Sequence, residues 1–197
     1  YTGRDISDRL PFIESCLLFF VFHFRYLARK RGIRELDGEG HLIIYPGSAG
    51  ETYKMATNAS STIAALHTVA TEWINYAVNY NNAHPTADST LAKKVQVIYQ
   101  LIRRLPPIRL ISYKGHTMIS PAWSWERINN EESMALYPVF PWGIYGVGKP
   151  GLDTALNTWN YDPDALRLRS NKGWKQDNIW AARLGLREEA WRLKKKK

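Results

Sequence analysis

Ile6-Ser-Asp-Arg-Leu10-Pro-Phe-Ile-Glu-Ser-Cys16-Leu-Leu-Phe-Phe20-Val-Phe-His-Phe24-Arg-Tyr-Leu-Ala28 is the stretch that sets the fold class. Its residues Ile6, Leu10, Ile13, Leu17, Phe20, Phe24 and Leu27 recur every three or four positions, which predicts one long, well-buried helix. Asp5 or Ser7 suits its N-cap, and Pro11 is tolerated in a first turn whose N–H groups lack helical partners. Gly32 and Gly38-Glu-Gly40 end it, leaving His41 to Tyr45 as a short extended piece.

The same periodicity returns downstream. Ile63, Leu66, Val69 or Ala70, Trp73, Ala77 and Tyr80 predict a second helix from about Ser60. Leu91, Val95, Ile98, Leu101 and Ile102 predict a third over Asp88 to Arg104, closed by Pro106-Pro107. Ile108 to Tyr113 and His116 to Ile119 flank Lys114-Gly115 and read as a small β-hairpin. Residues 121 to 148 carry Trp, Pro, Gly and Asn without a sustained period, and an irregular stretch of that length is more often functional than idle. Helices resume over Leu152 to Trp159, Lys175 to Leu184 and from Arg187 onward. The expectation is a mainly α chain with one small hairpin, forming a single domain over residues 1 to 197.

Composition narrows the function. The 197 residues are 45% hydrophobic and 23% charged, an ordinary globular balance. Eight Trp and eleven Tyr against six Phe favour rings with an apolar face and a polar edge, which suit sugar stacking as well as cores. The net charge of +9 includes Lys194 to Lys197, and Arg25 to Arg34 and Arg103-Arg104 sit at expected helix ends, where cations complement the dipole. No nucleic-acid partner is expected; a basic nucleic-acid module would rest on the lysine tail. The apolar run Cys16 to Phe24 is too short to span a bilayer, so no membrane partner is expected either. One cysteine and one sequon, Asn58-Ala-Ser60, leave the compartment undecided, with secretion favoured.

Several chemistries lack their residues. His23, His41, His67, His84 and His116 have no i, i+3 or i, i+4 spacing, so no metal site is expected. No Gly-x-Ser-x-Gly elbow occurs, and Gly143-Ile-Tyr-Gly146-Val-Gly148 lacks the strand and capped helix a phosphate loop needs. No cofactor is called for. Carboxylates and amides among aromatics remain, in three segments. His41-Leu-Ile-Ile-Tyr45-Pro-Gly-Ser-Ala-Gly50-Glu-Thr-Tyr-Lys54 delivers Glu51. Trp123-Ser-Trp-Glu126-Arg-Ile-Asn-Asn130-Glu-Glu132 is followed by Leu136-Tyr137-Pro-Val-Phe-Pro-Trp142. Asn171-Lys-Gly-Trp174-Lys-Gln176-Asp177-Asn178 opens a helix. Glycoside hydrolysis needs two carboxyls whose environments separate their pKa values. Glu51 beside apolar and aromatic neighbours suits the protonated role, and Asp177 at a helix N-terminus the ionised one. Plain structural roles fit as well: Asp177 as a first-turn residue, Glu51 as a cap, Glu131 and Glu132 as a solvated pair, Trp180 as core.

These segments resemble the six-hairpin glycosidases, whose catalytic domain is an (α/α)6 barrel. The likeness is to a branch with Tyr-Pro-Gly-x-Ala-x-Glu-Thr-Tyr-Lys (here Tyr45 to Lys54), Asn-x-Glu leading to Leu-Tyr-x-Val-Phe-Pro (Asn130 to Glu132, Leu136 to Pro141), Gly-Val-Gly-Lys-Pro (Gly146 to Pro150) and Gly-Trp-x-Gln-Asp (Gly173 to Asp177). More distantly, the chain is similar to barrel-type α-L-fucosidases, whose general acid is a Glu after a Pro-Ser-x-Ser-Pro turn, the position Glu51 takes. Their base is an Asp near a Gly-Trp pair, helped by upstream Asn side chains. Here Arg169 to Gly173 holds no Asp, and the upstream Asn motif has no counterpart.

The resemblance implies a glycoside hydrolase acting on a plant or microbial polysaccharide or oligosaccharide, inverting, with Glu51 as acid and Asp177 or Glu132 as base. Tyr53, Trp142 and Trp174 would frame the sugar, with Lys54, Asn130, Tyr137 and Gln176 completing its contacts. Twelve barrel helices need roughly twice this length. The expectation is therefore a C-terminal half-barrel, with apolar faces that associate with the missing half or with a second copy. The alternative is a non-catalytic, carbohydrate-binding or degenerate half-barrel.

Overall fold

The computed structural model describes residues 5–85 and 90–195. It is 51% helix and 11% strand, mainly helical with small antiparallel sheets. Where one domain is expected, the chain divides into two compact units, residues 1–43 with 66–106 and residues 44–65 with 107–197.

The first unit is helical. Helix α1 (Leu10–Arg31) ends at Gly32, whose N–H reaches back to the carbonyls of Ala28 and Arg29. Helix α2 (Ser60–Ala83) begins in the second unit and runs on into the first, where it buries Leu66, Ala70, Trp73 and Ala77, the face expected from its spacing. Helix α3 (Leu91–Arg103) buries Leu91, Ile98 and Leu101 and packs on α1. The expected start of this helix at Asp88 lies outside the described residues. Trp73 Nε1–H donates to the Leu10 carbonyl at 3.0 Å, and Arg25 pairs with Glu35 at 2.5 Å.

One expectation for α1 is corrected. Only Leu10, Leu17, Phe24 and Ala28 are buried, while Phe12, Phe19, Phe22 and Tyr26 are exposed. The helix is apolar on both sides and buried on one. The span Ser7–Lys30 is also long and apolar enough to cross a membrane, with a mean hydropathy of 1.4 and 17% of that window buried. The run Cys16 to Phe24 understates it, because isolated polar residues interrupt a run without shortening a helix.

The second unit carries the strands. β1 (Gly47–Ala49), β2 (Tyr53–Ala56) and β5 (Arg127–Ile128) form an antiparallel sheet in the order β1-β2-β5, and β3 (Leu110–Tyr113) with β4 (His116–Ile119) make the expected hairpin. Its turn residues Lys114 and Gly115 both have positive φ (50° and 81°), the two-residue geometry that matches strand twist. Helices α4 (Leu152–Tyr161), α5 (Pro163–Arg167), α6 (Asp177–Arg183) and α7 (Arg187–Lys195) follow. Asp162 caps α5, its Oδ1 accepting from Ala165 N–H at 2.7 Å. Ile119, Leu136, Val139, Trp159, Trp180, Leu184 and Leu193 form the main core, and Ala49, Tyr53, Ala56, Ala59, Ala122 and Met134 a second cluster beneath the sheet. The sequon is no glycan acceptor in this fold: Asn58 is buried, its Oδ1 accepting from Ile44 N–H at 2.8 Å.

Candidate functional site

All ten candidate residues lie in the second unit. Glu51 stands at the tip of the β1–β2 turn, whose register pairs Ala49 with Tyr53 and Ser48 with Lys54. Gly50 has φ +53°, and a Cβ there would meet Met134 Sδ at 2.5 Å and Glu132 Oε2 at 3.3 Å. Its missing side chain is what lets the 132–134 segment close over the turn. Thr52, fully buried, clasps that segment twice: its carbonyl accepts from Asn129 N–H at 2.8 Å and its hydroxyl from Glu132 N–H at 3.2 Å. Asn130 Nδ2 then donates to Glu51 Oε2 at 3.0 Å.

Two of the sequence segments are thereby joined, and Tyr137 adds the third. Its hydroxyl interacts with the Glu132 carboxylate and with the Gln176 amide, and burial followed by the charge of Glu132 raises its pKa. Asp177 follows directly as the first residue of α6. That helix is anchored by Trp180, whose Nε1–H donates to the Phe140 carbonyl at 3.0 Å and whose ring lies 6.0 Å from that of Tyr137. Glu51, Asn130, Glu132, Tyr137, Gln176 and Asp177 thus form a continuous line of contacts and neighbours.

The environments of the two leading carboxyls are the reverse of the expectation. Glu51 is exposed, because it projects from a turn rather than into the apolar residues around it in sequence. Asp177 is 1% exposed, and burial pushes its pKa up to about 6. The backbone N–H of Ser170, the Lys175 ammonium and the Arg169 guanidinium all favour the ionised form, yet desolvation outweighs them. Neither carboxylate oxygen makes a hydrogen bond of good geometry. A position in the first turn of a seven-residue helix does not compensate for that burial.

Tyr53 also differs from its expected place. It is buried, its hydroxyl donating to Asp164 Oδ2 at 2.5 Å and its ring edge-on to Trp125 at 5.0 Å. Burial and Asp164 push its pKa far up. As the first residue of β2 it faces the core, leaving Trp125 as the exposed ring of the pair. Lys54, next along the strand, is half-buried, as is Trp142. Trp174 is 91% exposed and presents its ring to solvent.

Of one polar group on the third segment, sequence reasoning named Gln176 and Asp177 and missed Arg169, Asn171 and Lys175. Arg169 Nε, Asn171 Nδ2, Lys175 Nζ and Gln176 Oε1 are buried without hydrogen-bond partners, like the Asp177 oxygens. Arg169 stacks on the Trp159 ring at 3.8 Å and donates to the Trp159 carbonyl. The cluster of Lys, Asn, Gln and Asp around Gly173-Trp174 was its only sequence signal. A groove of about 750 Å³ beside α6 and α7, with Asn178, Arg187, Glu188 and Trp191 among its walls, includes none of the candidate residues. No group of three His, Cys, Asp or Glu able to hold a metal gathers among the described residues. Compared with models of known families, with curated proteins and with solved structures, the chain shows no match.

Proposed function

We propose that this chain is the catalytic part of an inverting glycoside hydrolase of the six-hairpin type, acting on a plant or microbial polysaccharide or oligosaccharide. Glu51 is the general acid and Glu132 the base that activates water. The observation that carries this reading is the junction of the Glu51 turn with the 129–134 segment. Glu132 Oε2 lies against Gly50, one residue from Glu51, while Asn130 orients the Glu51 carboxylate. Two carboxyls gathered at one glycine turn suit the paired acid and base of this chemistry. Between Asp177 and Glu132 as base, Glu132 is favoured because the Asp177 oxygens are buried and do not reach a sugar. Asp177 then serves as a positioning residue beneath Gln176 and Tyr137. Trp174 and Trp142 frame the sugar, with Lys54 and Asn130 at its hydroxyls.

A non-catalytic sugar-binding protein is the second reading, favoured by one observation. Glu51 is exposed, and a proton donor needs an enclosure that only a bound substrate or further chain would supply here. Incubation with fucosides, galactosides, arabinosides and rhamnosides separates the two. Turnover that falls roughly 10²- to 10⁴-fold in Glu51→Gln is expected. Binding without turnover selects the second reading, and neither binding nor turnover on any of the four removes both.

A further inference from the structure

Outside the sugar site, the exposed face of α1 is the largest unexplained feature of the first unit. Phe12, Phe19, Phe22 and Tyr26 are 71%, 57%, 63% and 53% exposed, and their spacing of seven, three and four residues places them in one stripe. The buried residues Leu10, Leu17, Phe24 and Ala28 occupy the other side of the helix. A helix apolar on two faces calls for a partner on each, and among the described residues only one is covered.

We propose that this stripe is a self-association surface, on which a second copy of the chain docks with its α1 antiparallel about a two-fold axis at Phe19. The stripe is close to a palindrome about that residue. Residues equidistant from Phe19 meet across the axis: Phe12 with Tyr26, exposed Cys16 with Phe22, and Asp8 with Lys30. Charge favours the same orientation. Asp5 and Asp8 precede the helix, while Arg29, Lys30 and Arg31 fill its last turn. An antiparallel pair sets the acidic end against the basic end and opposes the helix dipoles, whereas a parallel pair sets basic against basic. Arg9 and Arg29, which are also equidistant from Phe19, each lie near an acid on their own copy, Arg9 sharing Asp8 at 3.1 Å with the Lys30 that Asp8 meets across the axis and Arg29 sharing Glu35 at 3.5 Å with Arg25. A two-fold pairing uses the same stripe on both copies and closes on itself.

A second copy is favoured over a lipid bilayer by two features. The buried side of α1 packs on α3, so spanning a membrane would mean stripping that side from its unit. An anionic lipid surface would attract Arg29, Lys30 and Arg31 but leave the Asp5 and Asp8 end unmatched, whereas a second copy matches both ends. The exposed rings amount to about 500 Å² per chain, against roughly 800 Å² per partner in a standard interface, so the dimer is weak. Its dissociation constant is expected in the range of tens of micromolar.

Sedimentation velocity of the 197-residue chain from about 1 to about 200 µM tests this. The expected result is a concentration-dependent dimer that Phe19→Asp weakens by at least tenfold with an unchanged circular dichroism spectrum. A second test does not depend on the tolerance of Phe19→Asp. In a Cys16→Ser background, Phe19→Cys faces its own copy on the axis and forms an intermolecular disulfide on mild oxidation, whereas Phe12→Cys, opposite Tyr26, does not. A monomer throughout the range, a dimer indifferent to Phe19→Asp, or equal cross-linking of both cysteine variants overturns the proposal. So does a chain that is monomeric alone but floats with anionic phosphatidylserine vesicles, which would make the stripe a lipid surface.

Discussion

Trp180→Ala is expected to destabilise the second unit by about 3 to 5 kcal/mol, the cost of emptying a large aromatic site in a packed core. Trp180 is 2% exposed and sits among Leu136, Val139, Ala155, Trp159 and Leu184. Its indole N–H also donates to the Phe140 carbonyl, and that acceptor would be left without its partner. The loss reaches the candidate site through geometry, since the Trp180 ring neighbours Tyr137 and the helix it anchors begins at Asp177. Urea unfolding followed by fluorescence measures the change. Trp180→Phe keeps most of the ring and should recover more than half of the loss. A change below about 1 kcal/mol for the alanine variant would show that α6 is held by something else.

Asp177→Asn is expected to act in the opposite direction, stabilising the protein by about 2 kcal/mol at pH 8. Burial raises the folded-state pKa of Asp177 to about 6, above the ordinary aspartate value of about 4 that the unfolded chain keeps. The folded state therefore holds the proton more tightly than the unfolded one. Stability from this group is fully present below about pH 4 and is lost as pH rises through about 6. Asparagine keeps the shape and stays neutral, so the variant gains at high pH and loses the slope between about pH 4 and 6. Unfolding free energies at several pH values decide the matter. An Asn variant less stable than the parent at pH 8, or an unchanged slope, would mean that Lys175 and Arg169 compensate the buried carboxylate after all.

The helical part of the fold was legible because its signal is periodic. Ile63, Leu66, Ala70, Trp73 and Ala77 mark the buried face of α2 residue by residue, and Lys114-Gly115 marks its hairpin turn. The β1-β2-β5 sheet was not legible: strands of three, four and two residues are too short to alternate visibly, and β5 is paired from a distant segment. Helix α5 was missed despite a usable signal, Asp162-Pro163-Asp164, in which cap and first-turn proline stand side by side. The grouping of the three polar segments followed from their residue types. The environments of Glu51 and Asp177 did not, because sequence neighbours say little about exposure: the acid among tyrosines projects from a turn, and the acid beside a lysine is enclosed. The division into two compact units, which α2 passes between, has no change in composition to mark it.

The division of labour between Glu51 and Glu132 is tested most directly by leaving-group dependence. Turnover of Glu51→Gln and Glu132→Gln is compared on an aryl glycoside whose phenol leaves without protonation and on the matching natural disaccharide. Glu51→Gln should stay within about tenfold of the parent on the activated substrate and fall about 10³-fold on the disaccharide, because only the second needs a proton. Glu132→Gln should lose both alike, since water must be activated in either case. Equal losses on the two substrates for Glu51→Gln, or full activity of Glu132→Gln, would contradict the account.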